Sequence, residues 1–115
     1  ASQVSNQRIE GCHARVWYEA ATRGQAGGLC EEAARLFPVA VGRLHERRVG
    51  PHPDGSCQLA FEPEIVGVVL PWLARNRKGL VVFMHPLTGD ELADHRDHAI
   101  WMGAVRPLDL SLFGG

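Results

Sequence analysis

Between Cys12 and Tyr18 the chain alternates: Cys12, Ala14, Val16 and Tyr18 fall on one side, His13, Arg15 and Trp17 on the other. A period of two predicts a strand. Over residues 24–37 the apolar positions are Ala26, Leu29, Cys30, Ala33, Leu36 and Phe37, a helical spacing stopped by Pro38. Gly27 and Gly28 weaken that helix by about 1 kcal/mol each relative to Ala. Val39 to Arg47 reads as a second strand, and the turn formers of residues 50–55 as a loop. Ser56 to Glu62 is a third strand. Residues 64–76 place Ile65, Val68, Val69, Trp72 and Leu73 on one helical face, with Pro71 expected to kink the helix or begin its second half. Gly79 is available for a left-handed stop. Leu80 to Pro86 is a fourth strand, residues 87–97 a turn with one helical turn after Asp90, and His98 to Met102 a short extra strand. The order β-α-β-β-α-β predicts an α+β, ferredoxin-like sandwich with an antiparallel sheet and a C-terminal extension. One domain over residues 1–115 is expected, with residues 1–8 and 106–115 as tails.

Such a sheet carries helices on one face only. The more consistently apolar sets belong under the helices, which leaves His13, Arg15, His45, Gln58, Glu62 and His85 on the open face. With strands in the order 4-1-3-2, His13, Glu62 and His85 meet at one end of the sheet, and His45 and Gln58 lie toward the other. Trp17, Val41, Ala60, Val81 and Phe83 share the open face and are too apolar to leave wet, so a homodimer covering it is expected.

Composition narrows the function classes. The chain has 115 residues, 45% hydrophobic and 22% charged, with a formal charge of −1. That is ordinary globular composition, without the basic bias of a nucleic-acid or membrane-surface binder. No apolar run is long enough to span a membrane, and the first residues lack a signal-peptide core. Three cysteines with no CxxC pair argue against a disulfide framework or a zinc finger, and for the cytoplasm. RNA recognition fits poorly, because the third strand lacks the aromatic pair that stacks bases.

Histidine is the unusual component, with six residues against one tyrosine. A single strand histidine is most often a surface or hydrogen-bonded residue, and Glu62 alone reads as a solvated strand end before Pro63. Convergence changes that picture. His13, His85 and Glu62 at one sheet corner would form a 2-His-1-carboxylate set with open positions, the arrangement suited to ferrous iron and oxygen. Trp17, on the same face, is a candidate substrate platform. The Asp94–His98 run is either a solvated turn or a source of carboxylates that hold metal-bound imidazoles.

Longer motifs point the same way. His45-Glu46-Arg47-Arg48-Val49-Gly50-Pro51-His52-Pro53 resembles the HE-x-x-VGPHP block of the DOPA 4,5-dioxygenase family. The segment from His85-Pro86-Leu87-Thr88-Gly89-Asp90 through Asp94-His95-Arg96-Asp97-His98-Ala99-Ile100-Trp101-Met102-Gly103 is similar to that family's HP-x-TGD…DH-x-DHA-x-W-x-G segment. Pro71-Trp72-Leu73, Asn76-Arg77 and Gly79-Leu80 fit its PWL…NR-x-GL segment. The resemblance covers about residues 11–110. It implies a small ferredoxin-like domain, non-haem Fe(II) and extradiol opening of a catechol such as DOPA by oxygen; another divalent metal can replace iron in a purified sample. It also stresses His45 and His52. The expected metal ligands are then His13, His85 and His52, with Glu62 as the alternative third. His52 would reach the site if its loop folds over the open face or comes from a dimer partner. His45 or His98 would act as general base, while Arg15, Arg43, Gln58 and Trp17 handle the substrate. One departure stands out: the family's first strand reads H-x-H, and here it is His13-Ala14-Arg15. Arg15 either holds a substrate carboxylate or marks a non-catalytic metal- or small-ligand-binding domain of the same fold.

Overall fold

The alternating segment at the start forms β1 (Gly11–Tyr18), the central strand of a five-stranded antiparallel sheet. A computed structural model of the chain describes residues 9–42, 55–106, 108 and 110. Helix α1 (Arg23–Leu36) follows, then β2 (Ala40–Val41), β3 (Gly55–Phe61), α2 (Val66–Asn76), β4 (Val81–Leu87), α3 (Glu91–Arg96) and β5 (Ile100–Met102). The strand order is β2-β3-β1-β4-β5. This is the expected 4-1-3-2 arrangement with one further strand beside β4.

Helix α1 buries Ala26, Leu29, Cys30 and Ala33, the i, i+3, i+4, i+7 stripe of an amphipathic helix. It runs unbroken through Gly27 and Gly28. Helix α2 buries Val69 and Leu73 and continues through Pro71 as one helix. Proline removes one backbone donor and crowds the carbonyl four residues back, but Pro71 and Gly67 are both exposed, so water can take up the Gly67 carbonyl. Under these helices lie Cys12, Ala14, Val16, Leu59, Val82 and Met84. The chain enters β4 through Lys78 and Gly79, both left-handed at φ 48° and 89°.

Two expectations are corrected. Val41 pairs with Leu59, and Ala40 with Ala60, so Val41 shares the face of Leu59 rather than that of His13. Val39, Ala40 and Val41 are all apolar, so alternation could not set the parity of this edge strand; pairing with β3 does. The cysteines are not all unpaired either: Cys30 of α1 and Cys57 of β3 are joined by a disulfide, while Cys12 is free and buried. The pair spans 27 residues in sequence, and only the packing of α1 on β3 brings it together. The cysteine argument for a cytoplasmic location loses its basis. Among the described residues no helix is long and apolar enough to cross a membrane.

Candidate active site

The second sheet face is built in rungs. In the first, His13 lies between Ala60 of β3 and His85 of β4. In the next, Arg15 lies between Gln58 and Phe83, and β5 adds Trp101 beside Phe83. In the third, Trp17 lies between Ser56 and Val81. Because side chains alternate along a strand, His13, Arg15 and Trp17 share one face with His85, as the pattern predicted.

Part of this face is closed within the chain. Trp17 is 2% exposed and Phe83 0%. Their ring centroids lie 6.0 Å apart, and Trp101 closes on them at 5.1 Å and 4.5 Å respectively. The Arg106 guanidinium sits 5.4 Å from the Trp17 ring, a cation–π distance. Trp17 is therefore a buried wall and not an exposed platform for substrate. The case for a homodimer, which needed Trp17 and Phe83 wet and Val41 on this face, loses its basis.

The aromatic cluster runs on into imidazoles. His13 and His85 meet edge to face with centroids 5.5 Å apart. His95, on α3, lies 4.1 Å from His85 and 5.9 Å from Phe83. Sequence reasoning did not single out His95, because a six-residue helix shows too little periodicity to reveal its inner face. The nearest signal was Asp90 itself, a residue type favoured at a helix N-cap. Asp90 does cap α3, accepting from the Ala93 N–H at 3.1 Å. Asp94, 2% exposed, accepts from the Thr88 N–H at 2.9 Å and the Thr88 hydroxyl at 2.6 Å. With Gly89 left-handed at φ 96°, this turn folds α3 back over β4 and sets His95 on His85.

Protonation follows from the hydrogen bonds. His85 Nδ1 lies 2.9 Å from the Pro86 carbonyl and His95 Nδ1 2.7 Å from the Glu91 carbonyl. A carbonyl only accepts, so each Nδ1 carries the proton. Nε2 of the neutral ring is then left as a lone pair, the form a metal ligand or a general base requires. Burial holds His85 neutral, lowering its pKa to about 4 against the opposing Pro86 hydrogen bond, with His95 and His13 adding to the depression and Asp94 resisting it. Burial, then Arg15 and His95, lowers the pKa of His13 as well.

Arg15 donates through Nη1 to the buried Ser56 hydroxyl at 3.0 Å. A groove of about 290 Å³ beside His13 is lined also by Ala40, Ala60, Glu62 and Leu87. Glu62 is exposed at its edge. Another cavity of about 290 Å³, lined by Trp17, Lys78 and Arg106, lies at the opposite end of β1 and contains none of the imidazoles.

Of the expected site residues, His13, His85, Arg15, Gln58 and Trp17 share this face. His98 is exposed on the turn after α3, with its backbone N–H on the Ala93 carbonyl; the imidazole against His85 is His95. Arg43, His45 and His52 lie outside the described residues. Among the described residues no three His, Cys, Asp or Glu side chains converge as a metal site. The donor chemistry nonetheless fits part of a ferrous site: two histidines face each other on adjacent strands, both biased to the neutral ring.

A sequence model of the Dopa 4,5-dioxygenase family matches residues 12–112, which takes in both histidine strands and α3. The chain belongs to that family. It is 44% identical over 93 residues to an uncharacterised 21.2 kDa protein of Botryotinia fuckeliana, covering 73% of this chain and 51% of that protein. It is 37% identical over 73 residues to a DOPA 4,5-dioxygenase of Amanita muscaria, covering 64% of this chain and 32% of that enzyme. The match thus spans about half of one curated relative and a third of the other. A crystal structure of a candidate dioxygenase from Nostoc punctiforme superposes with a TM-score of 0.88 at 40% identity, covering 90% of each chain.

Proposed function

We propose that this family member is a non-haem, iron-dependent extradiol dioxygenase that opens the ring of a catechol such as DOPA with molecular oxygen. The observation that carries the reading is the cross-strand pair His13–His85, with Nε2 of His85 left as a lone pair by the Pro86 hydrogen bond. In this reading His13 and His85 hold Fe(II), with His52 as third ligand and Glu62 as its alternative. Fe(II), when bound, supplies the redox chemistry that lets oxygen react with a chelated catechol. The protein's own part is binding and proton handling. His13, Arg15, Gln58 and Ala60, all half-buried, form the floor on which the ring lies. His95 accepts the catechol proton at Nε2 and holds it there, its Nδ1 fixed by Glu91. His98 and His45 are the other candidate bases, and Arg43 a further contact to the substrate. Phe83 and Trp101 back the site with an apolar wall that excludes water.

A second reading has one observation in its favour: Arg15 stands where the family's H-x-H pattern has histidine. A non-catalytic domain would bind metal or a small ligand and leave oxygen alone. Anaerobic purification, loading with Fe(II), and oxygen uptake across a panel of catechols decide between them. The enzyme reading expects one oxygen consumed per ring opened, with a new visible absorption from the product. Bound iron with no uptake on any catechol selects the second reading.

A further inference from the structure

The end of β1 away from the imidazoles carries a cavity of about 290 Å³ that the proposed reaction does not use. Trp17 lies four residues from His13, about 13 Å along the strand, too far for one catechol to touch both ends. Trp17 and Tyr18 form the back wall of the cavity and are 2% and 5% exposed. Two segments form its sides, and each is tied down. On one side the Glu19 N–H donates to the Thr22 hydroxyl at 3.0 Å, and that hydroxyl donates to the Glu19 carbonyl at 3.3 Å. On the other, Lys78 and Gly79 both turn left-handed, a conformation that a residue with a Cβ adopts only at a cost. Gln25, in the first turn of α1, joins the two sides. Its amide Nε2 donates to the Lys78 carbonyl at 3.1 Å and to the Arg77 carbonyl at 3.4 Å. The cavity is therefore formed before any ligand arrives.

Its charges are unequal. Among the described residues, Lys78 and Arg106 bring two cations to the lining and Glu19 one carboxylate. Arg106 sits over Trp17, and a cation–π contact takes none of the five N–H donors of a guanidinium. We propose that this cavity is a second binding site, for a hydrogen phosphate group, free or carried by a small monoester. Two cations match the negative oxygens, Arg106 through its planar fork of donors and Lys78 as a point charge. Glu19 supplies the selectivity. A carboxylate repels a fully ionised oxyanion but accepts a hydrogen bond from one that keeps a P–OH. Phosphate keeps such a proton near neutrality and sulfate does not. Thr22 and Gln25 hold the walls rather than the ligand, since their hydrogen bonds go to the backbone. The site needs neither iron nor a catechol and stands apart from the dioxygenase reading.

The test is calorimetry on the intact, metal-free protein at pH 6, where inorganic phosphate and about half of a monoester carry the P–OH proton. Inorganic phosphate should bind saturably, about tenfold more tightly than sulfate at the same ionic strength. Glu19→Gln should bring that ratio close to one by admitting sulfate. Arg106→Gln and Lys78→Gln should each weaken phosphate by about tenfold or more. Arg15→Gln, on the imidazole face, should leave phosphate affinity unchanged. Glycerol 3-phosphate identifies the source: affinity equal to or above that of phosphate assigns the group to a small ester, and weaker binding assigns it to free phosphate. Circular dichroism melts check that the variants fold, and the phosphate-to-sulfate ratio of the unmodified protein needs no variant. No binding, equal affinity for phosphate and sulfate, unchanged affinity in folded Arg106→Gln and Lys78→Gln proteins, or loss of binding in a folded Arg15→Gln protein would overturn the proposal.

Discussion

The two faces of the sheet are chemically opposite, and each has a fully buried part. Val16 and Val82 on the helix-covered face are 0% exposed, and so is Phe83 on the other, with Trp17 at 2%. The first face is apolar: Ala14, Val16, Leu59, Val82 and Met84 pack under α1 and α2, with Tyr18 and Phe61 in the same cluster. The second carries three imidazoles and a guanidinium among its aromatic rings. Burying such groups lowers stability and gives nothing back to folding. A fold accepts that loss where the groups have work to do, so the lowered imidazole pKa values of His13 and His85 and the half-buried Arg15 make this the candidate ligand face. One face carries the apolar packing, and the other carries the polar groups that packing alone does not call for.

That contrast predicts different responses to substitution. The largest effect falls on the first face: Leu59→Ala should cost about 2–5 kcal/mol through lost transfer and a cavity. Denaturant unfolding would show it, while the His13–His85 pair on the other face should be left in place.

The second face should reveal itself through pH. His85 has a folded pKa of about 4 against an ordinary value of 6.5, so between those values the unfolded chain binds the proton and the folded one does not. Stability of the metal-free protein therefore falls as pH drops from about 6.5 to 4, by up to about 3 kcal/mol, and the shift of His13 adds in the same direction. The groups facing His85 are His13, His95, Asp94 and the Pro86 carbonyl. His85→Phe should flatten the slope in this window. A slope unchanged by the substitution would mean that His85 is not held neutral.

Legibility in the sequence divides along the same line. The central strands β1, β3 and β4 have an unambiguous apolar set, so alternation gave the correct face for His13, Arg15, Gln58 and His85. At the edge the signal failed: Val39 to Val41 are all apolar, and Val41 belongs to the face opposite the one alternation suggested. His95 was hidden because α3 is too short to display a period, and because its place against His85 is set by Thr88 and Asp94 through contacts made only after folding. The Cys30–Cys57 pair was illegible for a related reason, since nothing in a 27-residue separation marks two side chains that meet when a helix lands on a strand. Local pattern reads out strands with two distinct faces; it does not read out which elements dock.

Asp94 tests that docking. Asp94→Asn keeps the shape but can turn an NH2 donor against the Thr88 N–H donor, which should cost about 1–3 kcal/mol. Thermal unfolding measures the loss, and the His95 ring resonances should move because α3 loses its tie to β4. A variant that leaves both unchanged would deny Asp94 its part in placing His95. The smallest effect is expected at Gly79, where φ is 89° with nothing within 4 Å of an added Cβ. Gly79→Ala should cost about 1 kcal/mol from backbone strain alone, with neither face altered.

The central claim is that the imidazole-bearing face binds a metal ion that the helix-covered face does not need for folding. Its most direct measurement is the metal content of anaerobically Fe(II)-loaded protein after desalting, compared with His13→Ala and His85→Ala, with a thermal melt of each. The account predicts bound iron in the unmodified chain, little in either variant, and cooperative melting in all three. Iron retained at the unmodified level in both folded variants would contradict it.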